Sequence, residues 1–240
     1  MTVIRDNLQA VSARIGRAAA AAGRAADSIR LLAVSKTRPA ALVEEAFLAG
    51  QAAFGENYVQ EALDKMGGVT HSLGAERARL LEWHLIGPLQ ANKTRLAAGH
   101  FDWVHSISSL KVARRLSGQR PPDRAPLNVL IQVNCSGEAS KSGAAPNDAG
   151  ELAHAVAGLP RLNLRGLMAI PEPSRDAQMQ RARFRAVREL YERLRAEALA
   201  LDTLSLGMSD DLEAAIAEGS TLVRVGTAIF GARRRERDAA

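Results

Sequence analysis

Eight short apolar segments, each followed by a segment with helical spacing, limit the folds open to this chain more than any other feature. Strands that alternate with helices are typical of a parallel sheet covered by helices. We predict the strands at 31–36, 52–57, 82–87, 102–107, 127–134, 162–170, 203–209 and 222–226. Eight such units in 240 residues predict an α/β fold, a single (β/α)8 TIM barrel.

An open, doubly wound sheet is the alternative architecture. The dinucleotide-binding form of that sheet carries G-x-G-x-x-G after its first strand. No such motif follows segment 31–36, so the barrel is favoured. The sequence contains neither an internal repeat nor a linker long enough to separate two domains, and we therefore expect one domain over 1–240.

Three segments do not belong to the eight strand-helix units. Ile4, Leu8, Val11 and Ile15 recur at helical spacing, which predicts an extra N-terminal amphipathic helix within 1–24. The segment 67–74, which begins and ends with glycine, is predicted to be a loop. The segment 232–240 contains a run of arginines and is expected to be a solvated basic tail.

Lys36 stands where the first predicted strand ends. Strand alternation puts it on the same face as Leu32 and Val34. Apolar neighbours disfavour the charged form of an amine, and a neutral lysine amine can form a Schiff base with an aldehyde. A lysine that simply ends a strand and points into water is the commoner case, so a reactive role for Lys36 needs support from other residues.

Such support comes from the predicted carboxyl ends of the strands, where a barrel of this type builds its active site. Taken singly, a histidine or methionine at such a position is more often a core residue than a functional one. Several candidates nevertheless fall at this one rim. They are Lys36, Asn57, His84, Ser106, Asn134, Met168, Ser209 and Gly226.

Two loops of this rim could hold a phosphate. Gly226 and Thr227 offer bare backbone N–H groups and a hydroxyl at the start of a turn. Ser209 could donate to a phosphate or cap the next helix, but Asp210 and Asp211 make that helix end less attractive to an anion. We therefore expect the loop after the eighth strand to hold a phosphate more firmly than the loop after the seventh.

Arg224 lies within the apolar eighth strand, on the same face as Leu222 and Gly226. Because both faces of a barrel strand are covered, its guanidinium must find an acceptor. The sequence leaves two acceptors open, a buried carboxylate and the ring nitrogen of a ligand.

Composition bounds the partners and the compartment. The net charge of +6 allows an anionic partner, but the arginines are mixed with acidic residues and only 4% of the residues are aromatic, so nucleic-acid binding is unsupported. The single cysteine, Cys135, excludes an internal disulfide and fits a reducing compartment. The sequence shows no signal peptide and no apolar run near the roughly 20 residues that cross a bilayer. We expect a cytoplasmic protein without a membrane span.

Six segments carry a resemblance to a known family. They are AVSK at 33–36, FGENYVQE at 54–61, WHLIGPLQANK at 83–93, VNCSGEASKSG at 133–143, GMSDD at 207–211 and VRVGTAIFG at 223–231. In this order they resemble the pyridoxal phosphate homeostasis proteins, single-domain relatives of the alanine racemase N-terminal barrel. The resemblance covers residues 31–231.

This resemblance implies that the chain binds pyridoxal 5'-phosphate (PLP). Lys36 would carry the cofactor as a Schiff base, and Arg224 would face the pyridine nitrogen. The remaining residues would hold the phosphate (Ser209, Gly226 and Thr227) or lie near the ring (Asn57, His84 and Met168). The chain departs from the family pattern at Tyr58, His105 and Leu206, none of which is among these residues.

The resemblance also bears on catalysis. An arginine keeps the pyridine nitrogen unprotonated, which makes the ring a poorer electron sink, and racemases of this fold take a tyrosine from a second domain that we do not find here. We predict a monomeric cofactor carrier for intracellular PLP homeostasis, with little or no catalysis and PLP-dependent apoenzymes as possible recipients. A PLP-dependent racemase-like enzyme and a basic interaction protein on a barrel scaffold are the alternatives.

Overall fold

The predicted barrel is confirmed. The computed structural model describes residues 2–135 and 142–232. Eight parallel strands close in chain order, and β8 pairs with β1 to complete the ring. The strands are β1 Arg30–Val34, β2 Ala53–Glu56, β3 Glu82–Leu85, β4 Trp103–Ile107, β5 Leu127–Val133, β6 Leu162–Ala169, β7 Thr203–Ser205 and β8 Leu222–Val225.

Helices surround the barrel, and short 3-10 turns lie at Ala26–Ser28 and Ala91–Lys93. The predicted N-terminal helix is present as α1, with Ile4, Leu8, Val11 and Ile15 all buried. The helices are α1 Val3–Ala21, α2 Ala40–Leu48, α3 Val59–Leu73, α4 Ala75–Ala78, α5 Thr94–His100, α6 Leu110–Gln119, α7 Pro146–Ala157, α8 Ala177–Ala196, α9 Leu212–Ala217 and α10 Thr227–Phe230. None of the helices so described combines the length and the apolar character that a bilayer crossing requires.

The prediction of a loop at 67–74 is wrong, because α3 continues through Gly67 and Gly68 to Leu73. A Cβ atom at Gly68 would lie 3.0 Å from the Ala40 Cβ, so glycine allows α2 and α3 to approach closely. Val69 lies one residue later and is buried, which stabilises this part of the helix by packing. The helix ends at Gly74, whose φ of +79° favours glycine.

Two small apolar clusters lie apart from the large core between the strands and the helices. One contains Leu32, Ala53, Ile86 and Leu222, with Val34 packed against it, as expected for alternate residues of β1 on one face. The other contains Trp103, Leu130 and Met168. The segment 232–240 falls outside the described residues from 233 onward, and so does 136–141 of the VNCSGEASKSG motif.

Candidate functional site

A cavity of about 540 Å³ opens at the carboxyl ends of the strands. Its size is ordinary for a small-molecule site. It brings together six of the eight residues that the family resemblance assigns to the cofactor. They are Lys36, Asn57, Ser209, Arg224, Gly226 and Thr227.

Apolar residues form much of the remaining wall, and strand alternation predicted only Val34 among them to lie beside Lys36. Val34 ends β1, Ile86 follows β3, and Ile170 follows β6. Pro171 and Pro173, which follow β6 in the chain, also line the cavity. Such residues can contact the faces of a ring while polar groups bind its substituents.

Lys36 is half-buried and lies in the turn that follows β1. The turn is closed by a hydrogen bond from the Arg38 N–H to the Ser35 carbonyl, 3.0 Å long. On the side of β2, the Ser35 N–H donates to the Gly55 carbonyl at 3.0 Å. The backbone around Lys36 is therefore fixed by the neighbouring strand as well as by its own turn.

The turn after β8 lies against the strand that carries Lys36. A Cβ at Gly226 would lie only 3.0 Å from the Val34 carbonyl oxygen, so a side chain there would push β8 away from β1. The Ile229 and Phe230 N–H groups donate back to the Gly226 carbonyl at 2.9 Å, which starts α10. The first N–H groups of such a turn have no intrahelical partner and can face an anion.

The loop after β7 is less favourable to an anion. Ser209 lines the cavity, but so does the exposed Asp210. Asp211 accepts a hydrogen bond from the Met208 N–H at 2.5 Å and occupies the N-cap position of α9. Ser209 therefore does not cap that helix, and its hydroxyl remains a candidate donor to a ligand.

The N-terminal helix holds both of these loops from outside. Arg14 of α1 donates to the Ser209 carbonyl at 2.7 Å and pairs with both oxygens of Glu213 at 2.5 and 2.6 Å. Asn7 of α1 donates to the Ile229 carbonyl at 2.8 Å. The extra helix thus fixes the backbone of the β7 and β8 loops relative to each other.

Arg224 is only 3% exposed, and its acceptors are not a carboxylate. Its Nη1 donates to the carbonyl and the hydroxyl of Ser205, both at 2.6 Å, and its Nη2 donates to the Ala169 carbonyl at 2.9 Å. Burial lowers the pKa of Arg224 to about 10, while Asp211 acts in the opposite direction. The guanidinium therefore stays charged at neutral pH and forms a rigid cationic wall of the cavity.

The structure does not bring His84 and Met168 to the cavity. Met168 is fully buried and packs with Trp103 and Leu130 in the barrel. His84 is also fully buried, and its ring stacks on that of Trp103 with centroids 5.2 Å apart. Periodicity placed both residues near strand ends but could not say at which depth of the barrel their side chains lie. Ser106 and Asn134 are likewise not among the lining residues.

His105, which the sequence showed only as a departure from the family pattern, connects His84 to Arg224. Its Nε2 lies 2.9 Å from His84 Nδ1, and its Nδ1 lies 3.2 Å from the Ser205 hydroxyl. A guanidinium only donates, so the Ser205 hydroxyl accepts from Arg224 and can donate its own hydrogen to His105. Burial lowers the pKa of both histidines, and that of His105 well below its usual range.

Comparison with known proteins agrees with this geometry. A family model described as the alanine racemase N-terminal domain matches residues 7–234. A protein named pyridoxal phosphate homeostasis protein from Pseudomonas aeruginosa is 59% identical over 234 residues, 97% of each chain. The chain belongs to the pyridoxal phosphate homeostasis protein family.

Two further relatives support this membership of the pyridoxal phosphate homeostasis protein family. The protein of that name from Escherichia coli K12 is 55% identical over 233 residues, 97% of this chain and 98% of its own. The structure of PipY from Synechococcus elongatus with PLP bound is 36% identical, has a TM-score of 0.80, and covers 95% of this chain and 100% of PipY.

Proposed function

We propose that this protein binds PLP in the cavity at the carboxyl ends of the strands and takes part in PLP homeostasis as a cofactor carrier. The observation that carries the proposal is the cavity in which the reactive and the binding groups meet. It gathers the Lys36 amine, the Arg224 guanidinium and the Gly226–Thr227 turn in a chain that is 59% identical to a pyridoxal phosphate homeostasis protein.

The residues present fit the chemical groups of PLP. Lys36 supplies an amine for the aldehyde, and Val34 and Ile86 supply apolar surface for the ring. The Thr227 hydroxyl and the N–H groups at the start of α10 suit the phosphate. When bound, PLP supplies an aldehyde that condenses with amines and a ring that can accept electrons. Ser209 is the secondary phosphate donor, because Asp210 beside it repels an anion.

Arg224 supports a role without efficient catalysis. Its side chain can only donate hydrogen bonds and remains charged at neutral pH, since its pKa is about 10. We assign Arg224 to the pyridine nitrogen, which must then act as an acceptor and stay unprotonated. Asn57 is assigned to the edge of the ring, and we assign no ring contact to His84 or Met168, which do not line the cavity.

A PLP-dependent racemase-like enzyme is the second candidate, favoured by the match to the alanine racemase N-terminal domain. Racemisation requires two bases on opposite faces of the substrate. Neither Tyr58, exposed at the start of α3, nor Tyr191, in α8, is among the residues that line the cavity. We therefore propose a carrier and not a racemase. We further propose that it functions as a cytoplasmic monomer and supplies PLP-dependent apoenzymes.

Titration of the purified protein with PLP, followed by visible absorbance, tests binding. We expect one equivalent to produce a protein-bound band that Lys36→Ala abolishes and that Lys111→Ala, at an exposed lysine of α6, preserves. A preparation that stays colourless with PLP contradicts the proposal. A racemisation assay on L-alanine and other amino acids separates the two candidates, since turnover of roughly 1 per second or faster would favour the enzyme.

A further inference from the structure

A buried ionic cluster lies directly behind Lys36, and the proposed binding role does not use it. Lys65 of α3 is 5% exposed, and its Nζ lies within hydrogen-bond distance of three oxygens. These are the Ser35 carbonyl at 2.7 Å, Glu56 Oε1 at 2.6 Å and Glu61 Oε1 at 3.0 Å. We call Lys65, Glu56, Glu61 and Ser35 the Lys65 cluster. Glu56 and Glu61 both belong to the FGENYVQE segment, and neither lines the cavity.

The Lys65 cluster forms hydrogen bonds to the chain on both sides of Lys36. On the N-terminal side, the Ser35 hydroxyl donates to Glu56 Oε1 at 2.6 Å, and the Ser35 carbonyl accepts from Lys65. On the C-terminal side, the Thr37 N–H donates to Glu61 Oε1 at 2.5 Å. The residue before the reactive lysine and the residue after it are therefore both tied to the same set of ions.

Thr37 needs such a restraint because its backbone is strained. Its φ is +62°, in the left-handed region, where a β-branched residue is unfavourable. Backbone in this region persists only when the surrounding structure over-determines it, and such positions cluster at functional sites. Without the bond to Glu61, the peptide after Lys36 could relax to an ordinary conformation and turn the lysine side chain away from the cavity.

We propose that Glu61 and Lys65 are positioning residues, which hold the Ser35–Thr37 turn so that the Lys36 amine faces the cavity and reacts with PLP. This inference rests on the proposed function. Glu61 Oε1 connects the turn to Lys65, because it accepts hydrogen bonds from both the Thr37 N–H and the Lys65 ammonium.

A matched pair of variants at Glu61 tests the proposal. Glu61 is partly exposed, so both variants should fold. Glu61→Ala removes the acceptor of the Thr37 N–H, whereas Glu61→Gln keeps an oxygen in the same place. We expect Glu61→Ala to weaken PLP binding roughly tenfold or more, as small misplacements of a reacting group do, and Glu61→Gln to restore most of the loss. Glu76→Ala, at an exposed glutamate of α4, is the control.

A measurement on the PLP-free protein distinguishes a local effect on the Ser35–Thr37 turn from a general loss of stability. Hydrogen exchange of the Thr37 amide, measured by NMR in PLP-free protein, should accelerate in Glu61→Ala and return in Glu61→Gln. Equal PLP affinity in the unmodified protein and in Glu61→Ala would overturn the proposal, as would unchanged exchange of Thr37. If the unmodified protein itself fails to bind PLP, the proposed function fails instead.

Discussion

Lys65 and Glu56 of the Lys65 cluster are about as well hidden from solvent as the imidazole pair of His84 and His105, but only Lys65 and Glu56 form an ion pair. Glu56 and both histidines are 0% exposed, and Lys65 is 5% exposed. Burying an ion costs several kcal/mol unless it is paired and hydrogen-bonded. The two groups must therefore offset or avoid the free-energy cost of ion burial in different ways.

In the Lys65 cluster, hydrogen-bond acceptors offset the free-energy cost of burying the ammonium. An ammonium has three hydrogens, and Lys65 has three oxygens around it. Burial raises the pKa of Glu56, but Lys65 and the Ser35 hydroxyl oppose that change by donating to its Oε1. Each charge is thus matched by a charge or a dipole of the opposite sense.

The imidazole pair avoids the cost of burying an ion, because both rings stay neutral. Burial is the largest cause that lowers the pKa of His84, although the Glu82 carboxylate, 3.0 Å from His84 Nε2, acts in the opposite direction. Burial is the largest cause that lowers the pKa of His105, followed by His84 and Arg224. The two groups therefore differ in their neighbours: Lys65 and Glu56 are buried as an ion pair, whereas His105 is buried beside Arg224 and stays neutral.

Removing one ion from the Lys65 cluster should have the largest effect on stability. Lys65→Met leaves the Glu56 carboxylate without its counter-ion, which typically costs about 3–5 kcal/mol in a buried pair. Urea denaturation of the PLP-free protein measures the loss. The double variant Lys65→Met/Glu56→Leu removes both charges and should recover a large part of it. A loss of less than about 1 kcal/mol for Lys65→Met alone would contradict an ionic cluster.

Changing the imidazole pair should alter the pH dependence of stability. In the folded state the pKa of His105 lies well below its unfolded value of about 6.5. As pH falls below about 6.5, the unfolded chain takes up a proton that folded His105 does not, so the unfolding free energy should decrease by up to ~1.4 kcal/mol per pH unit.

Denaturation between pH 7 and 5 should therefore show a shallower pH dependence for His105→Leu than for the unmodified protein. His71, exposed on α3, provides the control, because His71→Gln removes a histidine that solvent already reaches. An identical pH dependence in the unmodified protein and in His105→Leu would mean that His105 is not held neutral in the folded state.

The strands and part of the site could be predicted from the sequence alone. The apolar runs predicted the eight strands, and the strand ends predicted the cavity residues Lys36, Asn57, Ser209 and Gly226. Such signals are local, because they depend on spacing within a few residues. The loop predicted at 67–74 failed because the glycines there serve the packing of α3 against α2, which no local pattern reveals.

The two buried polar groups depend on distant residues and could not be predicted. Lys65 has the surroundings of a surface lysine in its own helix, and its burial depends on Ser35, 30 positions away. His105 meets Ser205 across 100 positions, so its role emerges only when the barrel closes. The sequence thus shows where the site lies, while the residues that support it from behind require the fold.

The central claim is that Lys36 is the amine that takes up PLP. Borohydride reduction of the PLP-loaded protein, followed by peptide mapping, tests it most directly. We predict a single pyridoxyl group, on the peptide that contains Lys36. A pyridoxyl group on any other lysine, with Lys36 unmodified, would contradict this prediction.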